Sequence, residues 1–503
     1  MKYRITFGVL ALATWSAFIS AKESSINDVF LASLINEIKE SANLHSGTAI
    51  AVVVHDKIIY HGDFGHQDIE NNIAVNPNTQ FYIASATKPF TALNFLIDAN
   101  NDESIRDTTL STMFPSIQVK GREDITAKHL LTHTASINNL PLVLATAYSG
   151  EHFADTRLGL VNALSEPSEE AIGEFKYTNV GYNIYSVFSD QFFKQDWQTK
   201  LHKQIFVSAG MNNTAARRSS IKADSSDPKH GNIARPYSVM NHDRQTSLYL
   251  EKQDSTLHAA GGMFSTSHDL ARFLMIQLNH GALEDRQIFP SKVIKESQTQ
   301  QVSTDTAYLD FERDGYAWGW YTGDYKNNRM LHHFGGFAGT HAHLSFMPEQ
   351  GIGLVVLNNE DFLSARLTSL IADYIYGALL NEENIEQKIT QRAQLLSAKL
   401  AGLDNMLEKE RAKISARKWN LSLTLNDYVG EYQHPLLGTI TVSANKAQRL
   451  DVTWGQMHSS STGMNEQDKI RVELEPASGS VITFNVSNKV NSLTFSDIEF
   501  KKI

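Results

Sequence analysis

Apolar residues recur at helical spacing over 30–42, which predicts a helix, and two compact apolar runs follow at 48–54 and 57–61. His55 and Asp56 separate those runs, so together they predict a β-hairpin. Phe90, Leu93 and Ile97 share one face of a helix predicted over 85–97. From about residue 101 to residue 252, helical patterns and polar loops dominate and strand signals are few. A helix opened by Ser267 and Asp269 is predicted over 267–278. Strands at 339–346 and 353–357 flank a turn at 348–351, and a packing helix follows at 365–380. Strands at both ends with a helical middle predict one α+β unit whose sheet joins early and late segments.

Residues 381–418 differ in kind. Ile385, Ile389, Leu396, Leu400, Leu403 and Leu407 form a stripe among many charges, which predicts one amphipathic helix bridging two domains. Such a short stripe is expected to pack on its own chain rather than to build a coiled coil. Beyond Trp419 the texture turns to short alternating runs, such as 439–442 and 470–474, separated by Asn, Ser and Gly. That pattern predicts a small all-β module. The expected organisation is therefore a leader at 1–21, a main domain at 22–380, a linker helix at 381–418 and a β module at 419–503.

Composition narrows the class. The 503 residues are 42% hydrophobic and 20% charged, which is globular. A net charge of −10 repels phosphate backbones, so no nucleic-acid partner is expected. The chain has no cysteine, which excludes disulfides, thiolate zinc sites, iron–sulfur clusters and a cysteine nucleophile. Lys2 and Arg4, an apolar run over 5–19, and the small residues Ser20 and Ala21 together predict a secretory signal. The run is shorter than the ~20 residues of a spanning helix, and no later stretch is better suited. The expected location is periplasmic or secreted, with no integral membrane segment once the signal is removed. The pattern does not set the oligomeric state.

The chain carries no P-loop, paired-glycine dinucleotide fingerprint, H-E-x-x-H or G-x-S-x-G. It does carry Ser85-Ala86-Thr87-Lys88 at a predicted helix start, with serine and lysine on one face. A serine hydroxyl becomes a good nucleophile when a neighbour accepts its proton, and a lysine does so only when neutral. The helix N-terminus also favours the negative charge that develops in acyl transfer. Taken alone, the four residues read more readily as a helix-capping serine and a solvated lysine. His129 and His133 at i, i+4 offer two zinc ligands without an evident third, so no metal or cofactor is expected. His341 and His343 share a strand face and, with His332 and His333, are expected to rim a cleft. Tyr316, Trp318, Trp320 and Tyr321 are expected to pack in the core, with a substrate-side wall as the alternative.

Five segments occur in a fixed order: Ser85 to Lys88, then Thr126-Ala127-Lys128-His129 and its flanks, then Tyr177-Thr178-Asn179, then Ala260-Gly261-Gly262, then His333-Phe334-Gly335-Gly336. From about residue 30 to residue 380 this set resembles the serine β-lactamase and penicillin-binding-protein-like family, in its class C-like esterase and peptidase branch. The resemblance implies an antiparallel sheet flanked by helices, with a mostly helical insertion. It implies Ser85 as the acylated nucleophile, Lys88 as its proton acceptor and Tyr177 as a proton relay. Asn179 would position substrate and lysine, His333, Phe334 and Gly335 would form the third substrate-binding motif, and the Ser85 and Gly336 N–H groups would form the oxyanion hole. Zinc at 129 and 133 is disfavoured, because that stretch is a structural helix and turn in the family. Asp427-Tyr428-Val429-Gly430-Glu431-Tyr432 looks like the β-barrel module appended to such hydrolases.

One departure carries information. The family usually has lysine followed by threonine or serine in its third motif, to hold a substrate carboxylate. Histidine is only partly charged near neutral pH and phenylalanine donates nothing. The expected activity is therefore hydrolysis of small-molecule or peptide esters and amides, D-amino-acid peptides included, with less dependence on that anion. The alternatives are a weak β-lactamase or DD-peptidase-type penicillin-binding protein, and a catalytically inactive binding protein on the same fold. The presence of Ser85, Lys88 and Tyr177 favours the enzyme.

Overall fold

The computed structural model describes residues 26–222 and 231–503; the leader expected at 1–21 lies outside them. Among the described residues the main sheet has eight strands: β1 (Thr48–Val54), β2 (Lys57–Phe64), β3 (Val302–Tyr308), β4 (Phe311–Tyr316), β5 (Tyr321–Tyr325), β6 (Asn328–Phe337), β7 (Thr340–Met347) and β8 (Ile352–Asn358). Their order is β3-β4-β5-β6-β7-β8-β1-β2, every neighbour antiparallel. The early hairpin thus joins the late strands through β1 and β8, as the α+β reading expects. Every residue of β1 is buried, because helices cover both faces. Ile50, Val52 and Val54 pack with α1 (Asp28–Ser41), while Ala49, Ala51 and Val53 pack on the side of α2 (Lys88–Asn101). Between β2 and β3 lies the helical insertion, which includes α3 (Val180–Phe193) and α4 (Ser267–Leu278). Thr266 caps α4 by accepting from the Asp269 N–H at 3.1 Å.

Three expectations change. Strands β3 to β6 occupy 302–337, where no strand is predicted, and His333 to Gly336 lie inside β6 rather than ahead of a strand. The helix predicted over 85–97 starts at Lys88, with Pro89 in its first turn, after a 3₁₀ turn at Ala84–Thr87. The single bridging helix is two, α6 (Ile385–Leu400) and α7 (Leu403–Ser415), broken at Ala401 and Gly402. Its stripe does pack on its own chain: Ile389, Leu396, Leu400, Leu403 and Leu407 join the cluster of α1 and α5 (Phe362–Leu379).

Beyond these helices, nine antiparallel strands among the described residues curl into a nearly closed barrel-like sheet between Gly430 and Lys502. Alternation drives it: Ile470, Val472 and Leu474 point inward from Lys469–Glu475 while their neighbours stay partly exposed. The barrel rests on the insertion. The Gln456 side chain donates to Ser255 Oγ at 2.7 Å, and the Tyr249 ring lies 3.9 Å from that of His458. No helix among the described residues is long and apolar enough to cross a membrane.

Candidate active site

Ser85 sits in the 3₁₀ turn directly ahead of α2, half-buried against β6 and β7 of the main sheet. Two contacts fix that turn. The short strand Phe81–Tyr82 pairs with Phe264–Ser265, and the Ile83 N–H donates to Met263 O at 2.9 Å. Ala84 is driven to φ 45°, a left-handed conformation that costs a residue with a Cβ about 1 kcal/mol or more. The turn is thus held in tension by its surroundings, with the Ser85 side chain facing the cleft.

Lys88 is fully buried one helical turn on. Its Nζ lies 3.0 Å from Ser85 Oγ, 2.8 Å from Asn179 Oδ1 and 2.8 Å from Ala260 O. Burial alone drives its pKa well below the usual lysine range. A neutral amine fits these partners: two N–H groups serve the two carbonyl oxygens, and the lone pair faces the serine hydroxyl. Asn179 is placed by its position at the start of α3, and Ala260 by the 260–266 segment.

Tyr177 closes the other side. Its ring lies 4.9 Å from Lys88 Nζ, and the Ser85 side chain influences its hydroxyl. Burial raises the phenol's pKa, with Ser85 and Arg313 pulling weakly the other way, so Tyr177 is a neutral phenol. Tyr321 stacks on it at 6.0 Å, and His133 packs at 4.5 Å. A recess of about 510 Å³ flanks it, lined by His133, Ser136, Asn138, Lys176 and Thr178 among others.

Behind Tyr177 runs a directional hydrogen-bond chain. The Thr178 N–H donates to His133 Nδ1 at 3.3 Å, which leaves His133 Nε2–H to donate to the Tyr316 hydroxyl at 3.2 Å. Tyr316 then donates to His333 Nε2 at 3.4 Å, and His333 Nδ1–H donates to Phe334 O at 2.7 Å. Burial pushes both histidines well below their ordinary pKa, with Lys88 adding to the shift. Two neutral rings are what the chain requires.

The expected site residues divide. Ser85, Lys88, Tyr177, Asn179 and His333 converge, and Gly335 and Gly336 border them on β6. Gly335 meets the Ser85 turn backbone to backbone, whereas Gly336 is exposed and opens onto free space. Phe334 is placed elsewhere. Side chains alternate along β6, and its ring packs on the far face, 4.2 Å from Tyr308 and 4.5 Å from His343.

His332, His341 and His343 share that far face and are sealed under α5, so the expected histidine rim is reduced to His333. His129 and His133 do not share a helix face either. The helix Ala127–Leu131 ends first, and His133 adopts φ 60°. Among the described residues no three potential ligands gather as a metal site. Trp318 and Trp320 are core residues, while Tyr316 and Tyr321 reach the site, so the aromatic cluster serves both expected roles. Sequence reading passed over Arg313, whose guanidinium carbon lies 3.6 Å from the Tyr321 ring centroid; nothing in its local sequence distinguishes it.

Residues 33–373 match the family model described as Beta-lactamase. Protein flp of Staphylococcus aureus (strain COL) is 22% identical over 344 residues, 67% of this chain and 64% of that protein. The match therefore spans less than two thirds of that relative's length. Penicillin-binding protein 4* of Bacillus subtilis (strain 168) is 24% identical over 334 residues, 63% of this chain and 68% of that protein. Among solved structures, the octameric penicillin-binding protein homologue from Pyrococcus abyssi aligns with a TM-score of 0.60 at 20% identity, covering 95% of this chain and 100% of that one. The D-amino acid amidase from Ochrobactrum anthropi SV3, complexed with D-phenylalanine, aligns at 0.55 and 17% identity, covering 70% of this chain and 100% of that one. At these identities the structural likeness establishes the fold.

Proposed function

The chain belongs to the β-lactamase family of serine hydrolases, and on that premise we propose that it cleaves small ester or amide substrates through an acyl-enzyme at Ser85. The observation that carries this reading is the buried Lys88 amine, 3.0 Å from Ser85 Oγ, with no carboxylate paired to it among the described residues. Ser85 Oγ attacks the substrate carbonyl carbon, and its proton passes to Lys88 Nζ as the new C–O bond forms. The Ser85 and Gly336 N–H groups take the oxyanion. As the tetrahedral adduct collapses, the bond to the leaving group breaks and Tyr177 delivers a proton to that group, recovering one from Lys88. Water, deprotonated through the same pair, then attacks the acyl ester and releases the acid and free Ser85.

Substrate class follows from the third motif. His333 is neutral and Phe334 is turned away, so this segment offers a β-lactam carboxylate no cation and no hydroxyl. D-configured amides and peptides are the favoured substrates, in keeping with the likeness to a D-amino acid amidase. Export rests on the 1–21 segment, and N-terminal sequencing of the secreted or periplasmic protein tests it. Intact mass after incubation with a fluorophosphonate tests the nucleophile. The wild type should gain one adduct at Ser85 and Ser85→Ala none; labelling of Ser85→Ala removes the assignment.

A further inference from the structure

Two backbone groups of fixed polarity decide where the protons sit in the chain behind Tyr177. At one end the Thr178 N–H can only donate, so His133 Nδ1 accepts and its Nε2 carries the proton. At the other end the Phe334 carbonyl can only accept, so His333 Nδ1 carries the proton and its Nε2 accepts. Tyr316, the last residue of β4, stands between them, 3.2 Å from His133 Nε2 and 3.4 Å from His333 Nε2. A hydroxyl that accepts the first bond and donates the second satisfies both rings. All three side chains are buried, so water offers little competition for these bonds.

His133 braces the Tyr177 loop. Its carbonyl accepts from the Lys176 N–H at 2.8 Å, its Nδ1 from the Thr178 N–H at 3.3 Å, and its ring packs 4.5 Å from that of Tyr177. It thus grips the backbone on both sides of the phenol. The grip through Nδ1 lasts only while the proton stays on Nε2, because a proton on Nδ1 would face the Thr178 N–H donor to donor. Asn179 is anchored separately, by Lys88 and by its place at the start of α3. At the far end both ring nitrogens of His333 are engaged inside the protein, so this residue ties the loop to β6.

We propose that Tyr316 is a positioning residue, whose hydroxyl pins His133 and His333 in opposite tautomers and thereby holds Tyr177 in place for proton transfer. The inference rests on the reading of Tyr177 as the proton relay of an acyl-enzyme at Ser85, and adds the device that keeps that relay aligned. Phenylalanine in place of Tyr316 would preserve the shape but strand a donor on His133 and an acceptor on His333, freeing both rings to turn or change tautomer.

The test is a double-mutant cycle on p-nitrophenyl acetate hydrolysis. Tyr316→Phe should lower kcat by about tenfold to a hundredfold, the effect of a displaced reacting group, while KM stays within about twofold. In a Tyr177→Phe background the same change should cost less than about threefold, because the phenol it aligns is already gone. A change that only loosened the fold would cost the same in both backgrounds. Nitrogen NMR of the wild-type histidine rings gives a readout that does not depend on Tyr316→Phe folding. His133 should carry its proton on Nε2 and His333 on Nδ1, with the signals assigned through His133→Gln and His333→Gln. Wild-type kcat in Tyr316→Phe, equal losses in both backgrounds, a loss confined to KM, or either ring charged or in the other tautomer overturns the role of Tyr316 and leaves the hydrolase reading standing. A Tyr177→Phe variant with wild-type turnover overturns the relay reading of Tyr177, and the proposal with it. A wild type that takes no fluorophosphonate label at Ser85 overturns the acyl-enzyme reading itself.

Discussion

A Cβ on Gly335 would sit 1.9 Å from the carbonyl oxygen of Ile83, so β6 meets the turn before Ser85 backbone to backbone. No side chain fits between them. This contact sets the distance between the proposed nucleophile and the strand that carries Gly336.

Gly335→Ala should therefore push the two apart. The expected loss is about 1–3 kcal/mol of stability and about a hundredfold in turnover, because a small misplacement of reacting groups is costly. Gly336→Ala is the matched control: nothing lies within 4 Å of its added methyl, so its stability should stay within about 0.5 kcal/mol of the wild type. Thermal unfolding measured beside p-nitrophenyl acetate hydrolysis separates the two. Equal behaviour of both variants would show that the close contact does not matter.

Lys88→Met should keep the fold, since a buried amine gives way to an apolar chain of similar length. Acylation should fall by about 10²–10⁴-fold, the usual range for a lost general base. In the wild type the neutral amine is the active form, and burial lowers its pKa well below 10.5. Labelling by a fluorophosphonate should therefore persist through neutral pH and decline as the pH falls through that lowered value. An Arg-like profile, flat and inactive until strongly alkaline pH, would contradict the neutral amine.

Phe334→Thr adds the hydroxyl that the resemblance leads one to expect in the third motif, yet it should not promote β-lactam acylation. The ring lies 5.1 Å from that of Phe311 on the face opposite His333, so the new hydroxyl would enter an apolar cluster. A loss of about 3 kcal/mol is expected from the cavity and the buried polar group. Urea denaturation and nitrocefin hydrolysis measure the two effects. Faster nitrocefin acylation would mean that residue 334 does reach the cleft.

The sequence was most readable where chemistry demands particular residues at short spacing. Ser85 and Lys88, Tyr177 and Asn179, and the glycine pair all converge for that reason. The helix over 267–278 was also legible to its ends from Ser267, Asp269 and a clear apolar face, although the side chain that caps it is Thr266. Strands β3 to β6 were not. Val302–Tyr308 is an edge strand with exposed Ser303, Asp305 and neighbours, so it lacks a buried face to read. Without β6, the direction of Phe334 had no reference, since one residue of register inverts every side chain. Arg313 was invisible for a different reason. Its placement against the Tyr321 ring is a tertiary fact that no local pattern encodes.

The far face of the sheet predicts how the fold responds to acid. His332 is buried with neither ring nitrogen hydrogen-bonded among the described residues, and His343 bonds Ser345 through Nε2 at 2.6 Å while its Nδ1 is unpartnered. Burial lowers both pKa values well below 6.5, and Arg313 and His343 add to the shift at His332. His341 on the same face is lowered to about 4. In the unfolded chain each histidine takes a proton near pH ~6.5, while in the folded chain it stays neutral to much lower pH. Unfolding therefore takes up protons below that pH, and stability falls by up to ~1.4 kcal/mol per pH unit for each such histidine. Above about pH 7.5 these rings contribute no slope. His332→Phe removes one proton-binding ring and two unpaired nitrogens at little change in shape. It should be at least as stable as the wild type at pH 7 and visibly more stable at pH 5. Urea denaturation at both pH values is the measurement. A gap between variant and wild type that does not widen on acidification would show that His332 is already charged in the fold or hydrogen-bonded through water.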